Sequence, residues 1–104
     1  MARYDVHANP TPAERKHTPY LLDVQNDYID GLLTRVVIPL RREAVFGPRA
    51  RNLHPMFQVK ADNVVLDTTA LGAVPAAALR APVANLHAHR AEVQEALDTL
   101  FGAF

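Results

Sequence analysis

No cysteine occurs among the 104 residues, which excludes disulfides, thiolate nucleophiles and cysteine-ligated zinc. Tryptophan and serine are also missing, and the four glycines are too scattered to form a phosphate cradle. Neither sign of charge prevails: 11 basic side chains face 11 acidic ones, for a formal net charge of zero. Gripping nucleic-acid phosphates usually takes a basic surplus, so no direct, specific nucleic-acid binding is expected. No apolar run approaches the roughly 18 residues of a membrane span, and the opening MARYDVHANP holds no apolar signal stretch. The expectation is a cytoplasmic protein with no membrane contact.

What is present reads as one domain over 1–104. A length of 104 residues suits a single core, and two independent cores would be too small to hold. Three prolines in NPTPAERKHTP, Asn9 to Pro19, predict an exposed loop. Before it, Tyr4 to Val6 predicts a short strand. After it, Leu21, Leu22 and Val24 predict a buried strand stopping at the turn formers Asn26 and Asp27. Arg35 to Leu40 is β-branched and apolar, a strand that Pro39 should place at an edge or bend. Met56–Lys60 and Val64–Leu71 predict a hairpin around a three-residue loop, Ala61-Asp62-Asn63. One more short strand and a turn are expected between Leu71 and Ala84. Val93, Ala96, Leu97, Leu100, Phe101 and Phe104 recur at spacings of three and four, the mark of one apolar helix face. About five strands and a terminal helix make an α+β, mostly β, antiparallel arrangement.

Candidate chemistry is sparse. His87 and His89 form an HxH pair, but near a helix start a two-residue separation turns them about 200° apart. Solvated helix residues are the better reading. Asp23, Asp27 and Asp30 flank a turn, where aspartate accepts local backbone hydrogen bonds, so structural duty is preferred over acid–base or metal work. No catalytic triad, metal set or cofactor motif emerges, and no enzyme is expected. Charge is nevertheless uneven along the chain. Arg35 to Lys60 holds six basic residues and one acid, whereas Asn85 to Phe104 holds one base and three acids. Arg41, Arg42, Arg49 and Arg51 therefore predict a docking patch for an acidic partner segment, with a solvated loop as the plainer alternative. At the other end, Phe101 and Phe104 predict either aromatics pinned to the core or anchors for a partner.

The stretch Tyr20 to Leu40 resembles the CcdB toxins of toxin–antitoxin modules. Asp23-Val24-Gln25, Asp27, Asp30 and Val37-Ile38-Pro39-Leu40 match that family's DVQ-D-x-x-D and VIPL pattern. The resemblance continues at Asn52-Leu53-His54-Pro55, Thr68-Thr69, Val74-Pro75 and Val83-Ala84-Asn85-Leu86, in the same order. It implies an SH3-like antiparallel β-barrel or sheet with a C-terminal α-helix. It also implies a homodimer that poisons the A subunit of DNA gyrase, does no chemistry itself, and is neutralised by an acidic, CcdA-like antitoxin. Tyr28, Ile29 and Asp98 match family positions near the gyrase contact.

The chain departs from the family at its end. A terminal tryptophan-glycine-isoleucine, with tryptophan as the gyrase anchor, is replaced by Phe101-Gly102-Ala103-Phe104. Aligned without a gap from Leu86, Phe101 meets a family phenylalanine and Gly102 falls on the tryptophan position. A gyrase contact would then rest on Phe101 and Phe104, with Phe104 the better anchor if Phe101 is half core; either ring can stack on a partner arginine, though less strongly than tryptophan. Two alternatives stay open: a MazF-like endoribonuclease on the same architecture, and a non-toxic remnant that only binds antitoxin.

Overall fold

The computed structural model describes residues 2–29 and 31–102. Seven antiparallel strands, β1 (Asp5–Ala8), β2 (Tyr20–Asp23), β3 (Thr34–Arg42), β4 (Met56–Val59), β5 (Asp62–Leu66), β6 (Gly72–Pro75) and β7 (Ala84–Asn85), form one sheet. A single helical turn, α1 (Glu43–Phe46), follows β3, and α2 (Arg90–Phe101) ends the described chain. Neighbours run β4-β5-β3-β2-β1-β7, with β6 also paired to β3, so the sheet curls into a nearly closed barrel. The fold is α+β, mostly β, as expected.

β3 organises it. Along one side it pairs with β2, Leu22 opposite Ile38. Along the other it changes partner: β6 covers Thr34 to Val37, and β5 covers Leu40 to Arg42. Pro39 sits between those two pairings, so β3 is a central strand and not the edge that its proline predicted. A proline that cannot donate is tolerated here because the ladder already breaks, while its carbonyl still accepts from the Asp67 N–H at 3.0 Å.

Residues paired across strands share a face. Val6, Leu22 and Ile38 line one face together, as do Leu40 and Leu66. This face carries the main core, closed by Leu86, Val93 and Ala96 from the chain leading into α2 and from α2 itself. Fully burying side chains such as Ile38 and Leu40 stabilises the fold by roughly 1.5–3 kcal/mol each. The opposite face is smaller and more polar, with Leu21, Val37 and Leu79 beside the buried His7, Asp23 and Arg35.

Two local expectations are corrected. The β4–β5 hairpin closes through two residues, Lys60 and Ala61, not three, because Val59 pairs directly with Asp62. Lys60 takes the positive φ of 55° that such a tight loop demands. The strand expected to reach Leu71 stops at Leu66, where a 3-10 turn over Thr68–Ala70 begins. Thr68 is buried and donates its hydroxyl to the Leu53 carbonyl, which bends the chain out of the ladder.

Candidate functional site

α2 presents its buried stripe as a narrow arc. Val93 and Ala96 are buried, and Leu97 and Leu100 are half-buried. At about 100° per residue, Phe101 lies roughly 80° round from Val93, outside that arc. It is 69% exposed, so the expectation of a half-core Phe101 is corrected. Gly102 then stops the helix: its φ of 68° is left-handed, and its N–H returns to the Asp98 carbonyl. This conformation suits glycine and strains other residues. The predicted contacts at Ala103 and Phe104, and Asp30 of the aspartate cluster, lie outside the described residues.

The loop after β2 supplies a second apolar surface. Tyr28 is 96% exposed and Ile29 46%. Leu32 and Leu33 beside them also stand largely in solvent. Local polar bonds shape this loop: Asn26 accepts from the Tyr28 N–H on its side chain and from the Ile29 N–H on its carbonyl. Asp23 anchors the base of the loop. Its two oxygens receive Arg35 through a fork, Nε at 2.8 Å and Nη2 at 2.9 Å, and Oδ1 also accepts the Gln25 N–H at 3.0 Å. Burial pushes the Asp23 carboxyl up, while the Gln25 N–H and Arg35 pull it down. The aspartates here do structural work.

The structure joins the loop to α2. The Arg3 N–H donates to Asp27 Oδ1 at 2.7 Å, and its Nη2 donates to Gln94 Oε1 at 3.2 Å. Gln94 in turn donates to Asp98 Oδ1 at 2.9 Å. Tyr28, Ile29 and Asp98, far apart in the chain, thus belong to one connected region. Sequence reasoning missed Arg3, Gln94, Leu32 and Leu33. Only the apolar pair beside Gly31, in a turn setting, carried a legible signal.

The four arginines do not share one environment. Arg41 donates to Asp67 Oδ2 at 2.6 Å and to Thr18 Oγ1 at 2.8 Å. Arg42 pairs with Asp62, which also accepts the Tyr20 hydroxyl at 2.8 Å. Both carboxylates arrive on the return of the β4–β5 hairpin, just past Lys60. Arg49 donates to the His54 carbonyl, and Arg51 lies beside Asn52 and Pro55, near Glu92 and Glu95. Among the described residues, neither Arg49 nor Arg51 makes a salt bridge.

Hydrogen bonds from Tyr20, and then from Arg42, hold the Asp62 carboxyl below the usual range. A lowered folded value means its contribution is complete above the ordinary aspartate value near ~3.9 and is lost as pH falls through the folded one. Replacing Asp62 with Asn should therefore flatten the acid limb of stability against pH, by at most about 1 kcal/mol for so exposed a pair. Urea midpoints collected between pH 2 and 6 test this; parallel curves for the two proteins would refute it.

His87 and His89 fall in the 3-10 turn before α2 and make ordinary contacts. His87 meets the Tyr4 ring edge-on, and His89 lies 3.1 Å from Glu92 and packs near Phe57. No cluster of three metal-ligating side chains occurs among the described residues. None of their helices is long and apolar enough to cross a membrane.

The curled sheet, the capping helix and the DVQ-loop-VIPL segment that builds β2 and β3 can be set against known proteins. A comparison with curated proteins finds no match. The family model described as CcdB protein matches residues 3–102, which takes in every strand, the exposed loop and α2 through its glycine cap. With the fold and that match in agreement along almost its whole length, the chain belongs to the CcdB family of toxin–antitoxin toxins.

Proposed function

We propose that this protein is a binding poison of the DNA gyrase A subunit, without chemistry of its own, neutralised by an acidic antitoxin segment. The exposure of Tyr28 and Phe101 carries the reading. Tyr28 matches a family position near the gyrase contact, Phe101 directly precedes the residue that falls on the anchor tryptophan's position, and two large aromatics in solvent do nothing for the stability of an isolated domain. Induction in cells and incubation with purified gyrase should produce stabilised cleavage complexes. No effect on gyrase would defeat the proposal, and RNA cleavage by the purified protein would point to an endoribonuclease instead.

The antitoxin is proposed to reach the arginine region, including Arg41 and Arg42, with Arg49 and Arg51 supplying the steering charge. Asp67 and Asp62 already compensate Arg41 and Arg42. Changing Arg49 and Arg51 together to Ala should lower the association rate several-fold at low salt and flatten its salt dependence. Stopped-flow association with unchanged rates at low ionic strength would remove these arginines from the docking surface.

We further propose a homodimer. The exposed Leu32 and Leu33, with β6 paired among the described residues to β3 alone, leave apolar surface and an open strand edge that a second copy could cover. Light scattering at micromolar concentration should give twice the chain mass of 11.5 kDa. A monomer mass would overturn it.

A further inference from the structure

Tyr4 takes a φ of 73°, a conformation that bulky residues rarely adopt. It is held there on all sides. Its N–H donates to the Asp23 carbonyl at 2.7 Å, and its own carbonyl accepts from the Leu86 N–H at 2.8 Å. The turn is closed by the Asp5 N–H on the Ala2 carbonyl and by the Ala2 N–H on Asp5 Oδ2. This fixed reversal sets Arg3 between two elements remote in sequence. Its backbone N–H points to Asp27 in the loop, while its guanidinium lies 5.0 Å from the centre of the Tyr4 ring and reaches Gln94 on α2.

We propose that Arg3 is a positioning residue that holds the Tyr28–Ile29 loop and the Asp98–Phe101 end of α2 as one preorganised surface. The inference rests on the gyrase reading for what that surface binds. α2 is seated on the core through Val93 and Ala96, but the loop side chains Tyr28 and Ile29 are substantially exposed, as is Phe101, so burial does not fix the loop against the end of α2. A partner that engages both must bear the entropy of fixing their relative placement unless the free protein already does so. A planar guanidinium placed over a ring suits this role, because its donors lie in a fixed fork. Gln94 extends the link, accepting from Arg3 and donating to Asp98.

Two readouts on the full chain test the bridge. In nuclear magnetic resonance spectra, Gln94→Ala should shift the Tyr28 and Ile29 amide signals when Arg3 is present and leave them unmoved in an Arg3→Ala background. In binding to purified gyrase A, Arg3→Ala and Asp27→Ala should each weaken affinity about tenfold. Asp27→Asn keeps the accepting oxygen and should bind like the wild type. Gln94 is exposed, so its variant tests the bridge even if Arg3→Ala folds poorly. Loop signals indifferent to Gln94, or full gyrase affinity in Arg3→Ala, would overturn the proposal. A wild-type protein that transmits the shift but ignores gyrase would refute the gyrase reading and leave the bridge standing.

Discussion

Replacing Asp23 with Ala should destabilise the fold by about 3–5 kcal/mol, because it leaves the buried Arg35 guanidinium only the more distant, exposed Asp27 carboxylate, 3.9 Å away, among the described residues. The Asp23 side chain is fully buried and that of Arg35 only 9% exposed. Water therefore cannot take over the lost fork. The same substitution frees the Gln25 N–H, which donates to Asp23 Oδ1, adding an unsatisfied donor. A domain of this size has about 5–15 kcal/mol to lose, so much of the protein should unfold near 37 °C. Exchanging Asp23 and Arg35 together for Leu and Met should restore a good part of the loss, since a buried pair is often no better than well-packed apolar side chains. Urea denaturation of both variants decides it. A loss under about 1 kcal/mol for Asp23→Ala would mean that Asp27, already 3.9 Å from Arg35, takes over the pairing.

Phe101→Ala should do the reverse, removing function while sparing the fold. With its ring in solvent, the substitution should change stability by no more than about 0.5 kcal/mol. If Phe101 anchors gyrase, losing it should cost 2 kcal/mol or more of binding, about thirtyfold in affinity. Deleting only Ala103 and Phe104 keeps the Gly102 helix stop and isolates the contribution of the last aromatic. Toxicity that survives Phe101→Ala and disappears on the deletion would move the anchor to Phe104. Toxicity that survives both changes would take the contact away from the tail.

Much of the architecture was legible because short-range patterns encode it. The alternation of Met56 to Lys60, the β-branched run Arg35 to Leu40 and the three-four spacing from Val93 each name an element through its own side chains. The aspartates flanking the Asn26 turn were legible too, since local hydrogen bonding by Asp is a property of the residue. Where those elements stop was less so. Pro39 predicted an edge, yet partner exchange between β6 and β5 makes a central strand tolerate it.

Other outcomes depended on which strands become neighbours. A count ending at Lys60 finds a basic segment, but the hairpin then brings Asp62 and Asp67 against Arg42 and Arg41. Phe101 sits at helical spacing and still points to solvent, because the arc that the sheet can cover is narrower than the apolar stripe. The Arg3 link spans 91 residues, a separation that no local pattern can register. The amino-acid sequence by itself determined most of the elements and the family resemblance, since these follow from local periodicity and motif order. Only the tertiary structure decided which charges are compensated and which distant residues form one surface, because electrostatic pairing depends on distance in space and not along the chain.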